Sequence, residues 1–266
     1  MLGLQITCLG GCQATLAGAA PAVFPTDKSR ALLVYLAVEG GEHSRLALAK
    51  LLWPGYRADS ARSSLRQSLH RLRGLLRESP GAPPWFLLTR ETVMLNPQAS
   101  VVVDVVTFRQ LLEECATHVH PALAACPACL ARLRAAVDLY RGDFLAGFTL
   151  ADSEPFEEWR RITQERLHIE VLDALAQLAG AAERRGDFAG ALVDAQRRLD
   201  LEPWDEDAHC QVMRLLALCG RREAALAQYR RLCAVLAAEL GAEPHAATTA
   251  LYEQIRGDRR GQPPPL

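Results

Sequence analysis

Residues 59–77 read DSARSSLRQSLHRLRGLLR, and the architecture of the N-terminal half follows from how this stretch divides between two faces. Ala61, Leu65, Leu69, Leu72 and Leu76 recur at spacings of four, four, three and four, the period of one apolar helix stripe. Arg62, Arg66, His70, Arg73 and Arg77 repeat that spacing one residue later, beside Ser63, Gln67 and Arg71. No acid occurs from Ala61 to Arg77, so the neighbours that would neutralise such a face are missing. Arg bonds guanine O6 and N7 in the major groove, Gln bonds adenine, and any of these arginines can bind phosphate. A basic helix face is equally compatible with plain solvation, and only its surroundings separate the two readings.

Upstream, Leu4, Ile6, Thr15 and Leu16 are punctuated by Gly10, Gly11 and Gly18, a pattern of short strands and tight turns. Thr26 and Asp27 are N-caps for a helix over about 28–38 that Gly40-Gly41 stops. Ser44 caps a second helix ending near Trp53-Pro54-Gly55, with Trp53 expected to pack beneath the following loop. Asp59 is expected to cap the third, which Pro80-Gly81 ends. Downstream, Trp85–Leu88 and Thr92–Leu95 flank Thr89-Arg90-Glu91 as a β-hairpin, and Val101–Val103 adds a strand. Strands, two short helices, a long polar helix and a hairpin form the order of a winged helix-turn-helix. There the third helix enters the major groove, and the hairpin, with Thr89 and Arg90 at its tip, reaches a neighbouring minor groove or phosphates.

Charge supports a division of labour. Residues 1–78 hold ten Lys/Arg against five Asp/Glu, and the remainder hold twenty against twenty-six. A polyanion partner is therefore expected for the first segment alone. Half of the 266 residues are apolar, enough for two packed domains. The longest apolar run, Leu32–Val38, is too short to span a bilayer, and the first ten residues lack the order of a signal peptide. The expected compartment is the cytoplasm, with no membrane partner, and the eight cysteines are then thiols or metal ligands.

From Asp104 onward the pattern is helical, with helices expected at about 105–116, 129–140, 154–185, 188–200, 205–218, 221–239 and 245–256. Gly186 and Gly220 are 34 residues apart, as are Ala191 and Ala225, and Leu192 and Leu226. A period of 34 is that of tetratricopeptide helix pairs, which stack into a concave surface; a plain helical bundle would have the helices and no groove. The expected fold is mainly α with a small β component, a C-terminal tetratricopeptide-like domain following the winged helix.

Cys115, His118, His120, Cys126 and Cys129 lie within fifteen residues. Cys126-Pro127-Ala128-Cys129 with Cys115 and His118 makes two close ligand pairs suited to tetrahedral zinc. The same residues are compatible with a thiol switch, or with small side chains packed at a helix start. Cys8, Cys12, Cys210, Cys219 and Cys233 are expected to be buried filler. His43, His168, His209 and His245 have no nucleophile at telling spacing, and no enzyme is expected.

The motifs also carry a resemblance. Residues 28–78, with Lys28-Ser29-Arg30-Ala31-Leu32-Leu33, Leu51-Leu52-Trp53-Pro54 and Ala61 through Arg73, resemble the OmpR-type DNA-binding domain of the Streptomyces antibiotic regulatory protein (SARP) family. Val103-Asp104-Val105 before Phe108 resembles that domain's end. Leu139-Tyr140-Arg141-Gly142-Asp143-Phe144-Leu145, Glu157-Glu158-Trp159, and Glu239 through Pro244 before Leu251-Tyr252 resemble the bacterial transcriptional activation domain that adjoins it. The resemblance implies an OmpR-type domain over 1–103, the activation domain over 104–257 and a flexible tail over 258–266. It implies an activator that binds direct repeats near promoters and helps recruit RNA polymerase, with self-association on DNA where two sites are filled together. Arg66, Gln67, His70 and Arg71 would face bases; Lys50, Arg73, Thr89 and Arg90 are backbone candidates; Arg62 and Ser63 complete the set. The resemblance requires no cofactor, zinc included. Larger relatives append an ATPase module, and the absence of a Gly-x-x-x-x-Gly-Lys run reads as the small form or a fragment. The alternative is a helical-repeat adaptor whose basic half binds an acidic protein.

Overall fold

Short strands and ten helices make up the computed structural model, which describes residues 3–16, 19–76 and 83–257 and divides into two units. The first unit joins Met1–Leu111 to Asp138–His168, and the second joins Leu112–Val137 to Ile169–Leu266. Gly18, Arg77, the stop at Pro80-Gly81 and the tail at 258–266 lie outside the described residues. No described helix is long and apolar enough to cross a membrane.

In the first unit, β1 (Leu4–Thr7) runs antiparallel to β2 (Gln13–Leu16), and Leu4 and Ile6 turn inward while Gln5 faces out. The helix α1 (Asp27–Glu39) begins where the Thr26 side chain accepts the Ser29 N–H. It ends at Gly40, whose φ of +60° favours glycine. After β3 (Glu42–Ser44), the Ser44 hydroxyl accepts the Ala47 N–H and starts α2 (Arg45–Leu52). Next comes α3 (Ala58–Leu75), followed by the hairpin of β4 (Phe86–Leu88) and β5 (Thr92–Leu95). The second sheet has the order β3-β5-β4, and β6 (Val101–Val103) returns to lie parallel to β1.

Two details depart from expectation. β3 reads Glu-His-Ser, carries no apolar alternation, and exists because β5 pairs with it. Asp59 does not cap α3: the N-cap position is Arg57, without a side-chain cap. Asp59 lies inside the first turn, where a carboxylate complements the helix dipole, 3.7 Å from Arg62.

The first unit also extends past the expected boundary at residue 103. Gly142 and Gly147 break the helical pattern, and the segment between helices turns back with Phe144, Leu145, Phe148 and Leu150 buried. Phe144 bridges to Leu9 and Gly11, the Leu145 N–H donates to the Cys8 carbonyl at 2.8 Å, and Gly10 N–H donates to the Asp143 carbonyl. Lys28 reaches Asp152 at 2.8 Å, and the Ser153 hydroxyl donates to the Leu51 carbonyl.

Helices dominate the rest. These are α4 (Asp104–Thr117), α5 (Pro127–Leu139), α6 (Glu154–Arg184), α7 (Phe188–Leu201), α8 (Glu206–Leu218), α9 (Arg222–Glu239) and α10 (Ala246–Gly257). Every helix expected beyond Asp104 is present with ends within two residues. α7 packs on α8, α8 on α9, and α10 on both α8 and α9.

The 34-residue spacing is reproduced in backbone geometry. Gly186 (φ +75°) and Gly220 (φ +70°) each end a helix in the left-handed region. The following N–H of Asp187 reaches back to the Ala182 carbonyl, and that of Arg221 to the Leu216 carbonyl, the same six-to-one closure. Ala191 and Ala225 are both fully buried, as are Leu192 and Leu226 nearly so, within one continuous core.

Candidate nucleic-acid interface and a cysteine-histidine cluster

α3 sorts its side chains as its periodicity predicts. Ala61, Leu65, Ser68, Leu69 and Leu72 are buried, while Arg62, Ser63, Arg66, Gln67, His70, Arg71 and Arg73 are all exposed. Lys50 in the last turn of α2 is exposed, as are Thr89 and Arg90 at the hairpin turn. Trp53 is buried, with the Lys28 ammonium 5.5 Å from its ring centroid.

Three bonds hold the hairpin and the helices in one arrangement. The Trp85 indole N–H donates to the Leu76 carbonyl at 3.0 Å, tying the start of the hairpin to the end of α3. The Arg45 N–H donates to the Glu91 carbonyl at 2.7 Å, and Arg45 Nε donates to the Thr89 carbonyl at 3.0 Å. Thr89 and Thr92 hydroxyls close the turn at 2.7 Å.

Arg45 is the residue that sequence reading misses. Its guanidinium has its pKa lowered by partial burial and then by the neighbouring Arg66. The like charge of Arg66 is thus near enough to act on Arg45. The signal was available: a cation at the first position of a helix opposes the helix dipole.

The second cluster lies where α4 gives way to α5. His118 and His120 follow the end of α4, a 3-10 turn covers Leu123–Ala125, and Cys126 and Cys129 flank the start of α5. His118 Nδ1 is 3.0 Å from Cys129 Sγ and 3.5 Å from Cys126 Sγ. His120 Nδ1 is 3.9 Å from Cys129 Sγ and 2.9 Å from the His118 carbonyl oxygen. One donor atom from each of these four residues lies within 4.8 Å of all the others. Backbone N–H groups, that of Cys129 first, lower the Cys126 thiol pKa, whereas burial and then Cys126 push Cys129 up to about 11.

The expected ligand set differs from this group at one position. Cys115 is buried and its Sγ points to the Cys129 carbonyl oxygen at 3.4 Å, outside the group of four, and His120 stands in its place. The other cysteines are less uniform than expected: Cys8 is buried, Cys12, Cys210 and Cys233 are half-buried, and Cys219 is exposed at the end of α8.

Residues 103–256 match the family model of the bacterial transcriptional activator domain. Among solved structures, the chain is similar to Mycobacterium tuberculosis EmbR in complex with low affinity phosphopeptide, with a TM-score of 0.70 and 24% identity. The alignment covers 98% of this chain and 66% of that one, so this chain spans about two thirds of the EmbR chain's length. At that identity the likeness is one of fold. No curated protein matches.

Proposed function

The chain belongs to the bacterial transcriptional activator domain family, and we propose that it is a sequence-specific DNA-binding activator of transcription whose α3 reads the major groove. The observation that carries this reading is the outer face of α3, where all seven expected contacts are exposed over a buried stripe. A helix of this length extends about 27 Å and is about 10–12 Å across with side chains, the width of the major groove.

In this winged helix-turn-helix reading, Arg66, Gln67, His70 and Arg71 meet base edges, with Arg62 and Ser63 beside them. Lys50, Arg73, Thr89 and Arg90 hold the backbone. Arg45 joins that second group, because its Nε bond to the Thr89 carbonyl sets its charge beside the hairpin turn that carries Thr89 and Arg90. The helix pairs with 34-residue spacing read as tetratricopeptide-like and supply a protein-binding surface, which we assign to RNA polymerase. Repeated promoter sites would be filled by two copies, in the cytoplasm, and no chemical step is involved.

Mobility shift with the chain's own upstream promoter DNA tests the reading. Binding should weaken steeply as salt rises. Arg66→Ala or Arg71→Ala should each cost about 1–3 kcal/mol and relax sequence preference, whereas Lys50→Ala should weaken all sequences alike and lower the salt slope by about one. A chain that retards no duplex DNA would instead be the adaptor that binds an acidic protein.

A further inference from the structure

We infer that His118, His120, Cys126 and Cys129 form a structural zinc site that fastens the end of α4 to the start of α5. With Zn–S of about 2.3 Å and Zn–N of about 2.0–2.1 Å at tetrahedral angles, neighbouring sulfur and nitrogen ligands stand about 3.6 Å apart. Three of the four sulfur–nitrogen separations in the cluster, 3.0, 3.5 and 3.9 Å, bracket that value, and all the donor atoms lie within 4.8 Å of one another.

Chemistry selects the ion. Two thiolates and two imidazoles are a soft-to-borderline set that suits zinc, whereas calcium and magnesium require oxygen ligands. Four protein ligands complete a tetrahedron and leave no position for substrate, so the site holds structure together. On binding, both thiols release their protons to solvent, and two thiolates neutralise the dication. His120 Nδ1 exchanges its bond to the His118 carbonyl for the metal. Entry is open because His118 is exposed while both sulfurs are buried behind it.

Packing of two small thiols does not account for this arrangement. It offers no reason for an exposed imidazole to aim Nδ1 between both sulfurs, or for a second to stand within reach. The loop from His118 to Cys126 contains one 3-10 turn and has no regular helix of its own, so a cross-link at both ends is where a metal would act on the fold.

The experiment is metal analysis of the full chain, purified under reducing conditions from cells grown with zinc, followed by removal of zinc and titration with cobalt(II). One zinc per chain is expected, and cobalt should produce a sulfur-to-metal charge-transfer band with tetrahedral ligand-field bands. Cys126→Ser and His120→Ala should weaken metal binding about 100-fold or more, beyond what loss of an outer-sphere partner costs. Cys115→Ser should leave the cobalt spectrum unchanged. Should Cys126→Ser fail to fold, alkylation of the parent chain decides: zinc should shield Cys126 and Cys129 and leave Cys219 reactive. A reduced chain without zinc and without the charge-transfer band overturns the site. So does a Cys126–Cys129 disulfide in freshly isolated protein, or a spectrum that depends on Cys115 and ignores His120.

Discussion

Arg134 on α5 and Asp194 on α7 close a two-pronged ion pair across sixty residues of chain, Nη1 to Oδ1 at 2.6 Å and Nη2 to Oδ2 at 2.7 Å. The Asp194 side chain is 1% exposed while that of Arg134 is 44% exposed. The pair joins two helices of the second unit whose sequence patterns give no hint of each other. Removing the cation leaves a buried carboxylate without its partner, a loss of about 3–5 kcal/mol in fully buried pairs. Because the arginine is half in solvent, Arg134→Ala should cost about 3 kcal/mol, read as a shift in urea midpoint. The pair is of no consequence to stability if that midpoint stays with the parent's.

Local periodicity made the helices legible and said nothing about partners. The apolar stripe of α3 and the glycines at 186 and 220 report on residues three or four positions away, which is the range over which sequence pattern carries information. Phe144 against Leu9, and the return of β6 to β1, depend on contacts across roughly a hundred residues or more, and no period encodes them. β3 was invisible because its stability comes from the β5 edge and not from its own three residues. At the cysteine-histidine cluster, spacing identified the neighbourhood but grouped Cys115 rather than His120 with the other three residues. The phase of α4 held the correction, since Cys115 follows the buried Phe108 by seven residues and shares its inward face.

Asp104, at the junction of β6 and α4, accepts the Cys8 N–H at 2.8–2.9 Å, the Leu9 N–H at 2.9 Å and the Val105 N–H at 2.8 Å. Burial raises its pKa against these donors. Asp104→Ala would strand two buried donors at the end of β1, each costing about 1–3 kcal/mol. A total near 2–5 kcal/mol is expected, with Asp104→Asn milder because one acceptor oxygen remains. Hydrogen exchange gives the local check: the Cys8 and Leu9 amides should lose protection first, and unchanged protection at both would show that the carboxylate is not their anchor.

His209 is 1% exposed, with Nε2 at 2.9 Å from the Pro203 carbonyl and Nδ1 at 2.9 Å from Gln228 Nε2. Donation to the carbonyl and acceptance from the amide describe a neutral ring. Burial lowers its pKa from the ordinary 6.5, so the unfolded chain takes up a proton that the folded chain refuses. Its contribution is therefore full above pH 6.5 and is lost as pH falls from there through the lower folded value. Between about pH 7.5 and 5.5 the parent should lose stability more steeply than His209→Gln, whose side chain does not titrate. Parallel slopes for the two proteins would remove His209 from the pH response.

Gly10 sits at φ +91°, and a Cβ there would lie 3.0 Å from the Arg141 carbonyl carbon and 3.2 Å from its oxygen. Gly142 makes the reciprocal approach, its Cβ position 3.2 Å from the Gly10 Cα. The two glycines thus let the segment after α5 lie against the turn between β1 and β2. Gly147 separates the two causes, with φ +74° but open space around it, and Gly55 has neither constraint. Gly10→Ala should destabilise most, because backbone strain and collision with main-chain atoms add. Gly147→Ala should cost about 1 kcal/mol from strain alone, and Gly55→Ala should stay within about 0.5 kcal/mol of the parent. In a unit of this size each kcal/mol moves the melting temperature by about 3–5 °C, so the three variants should separate in one thermal series. Gly10→Ala melting alongside Gly55→Ala would mean that the close approach at Arg141 opens without cost.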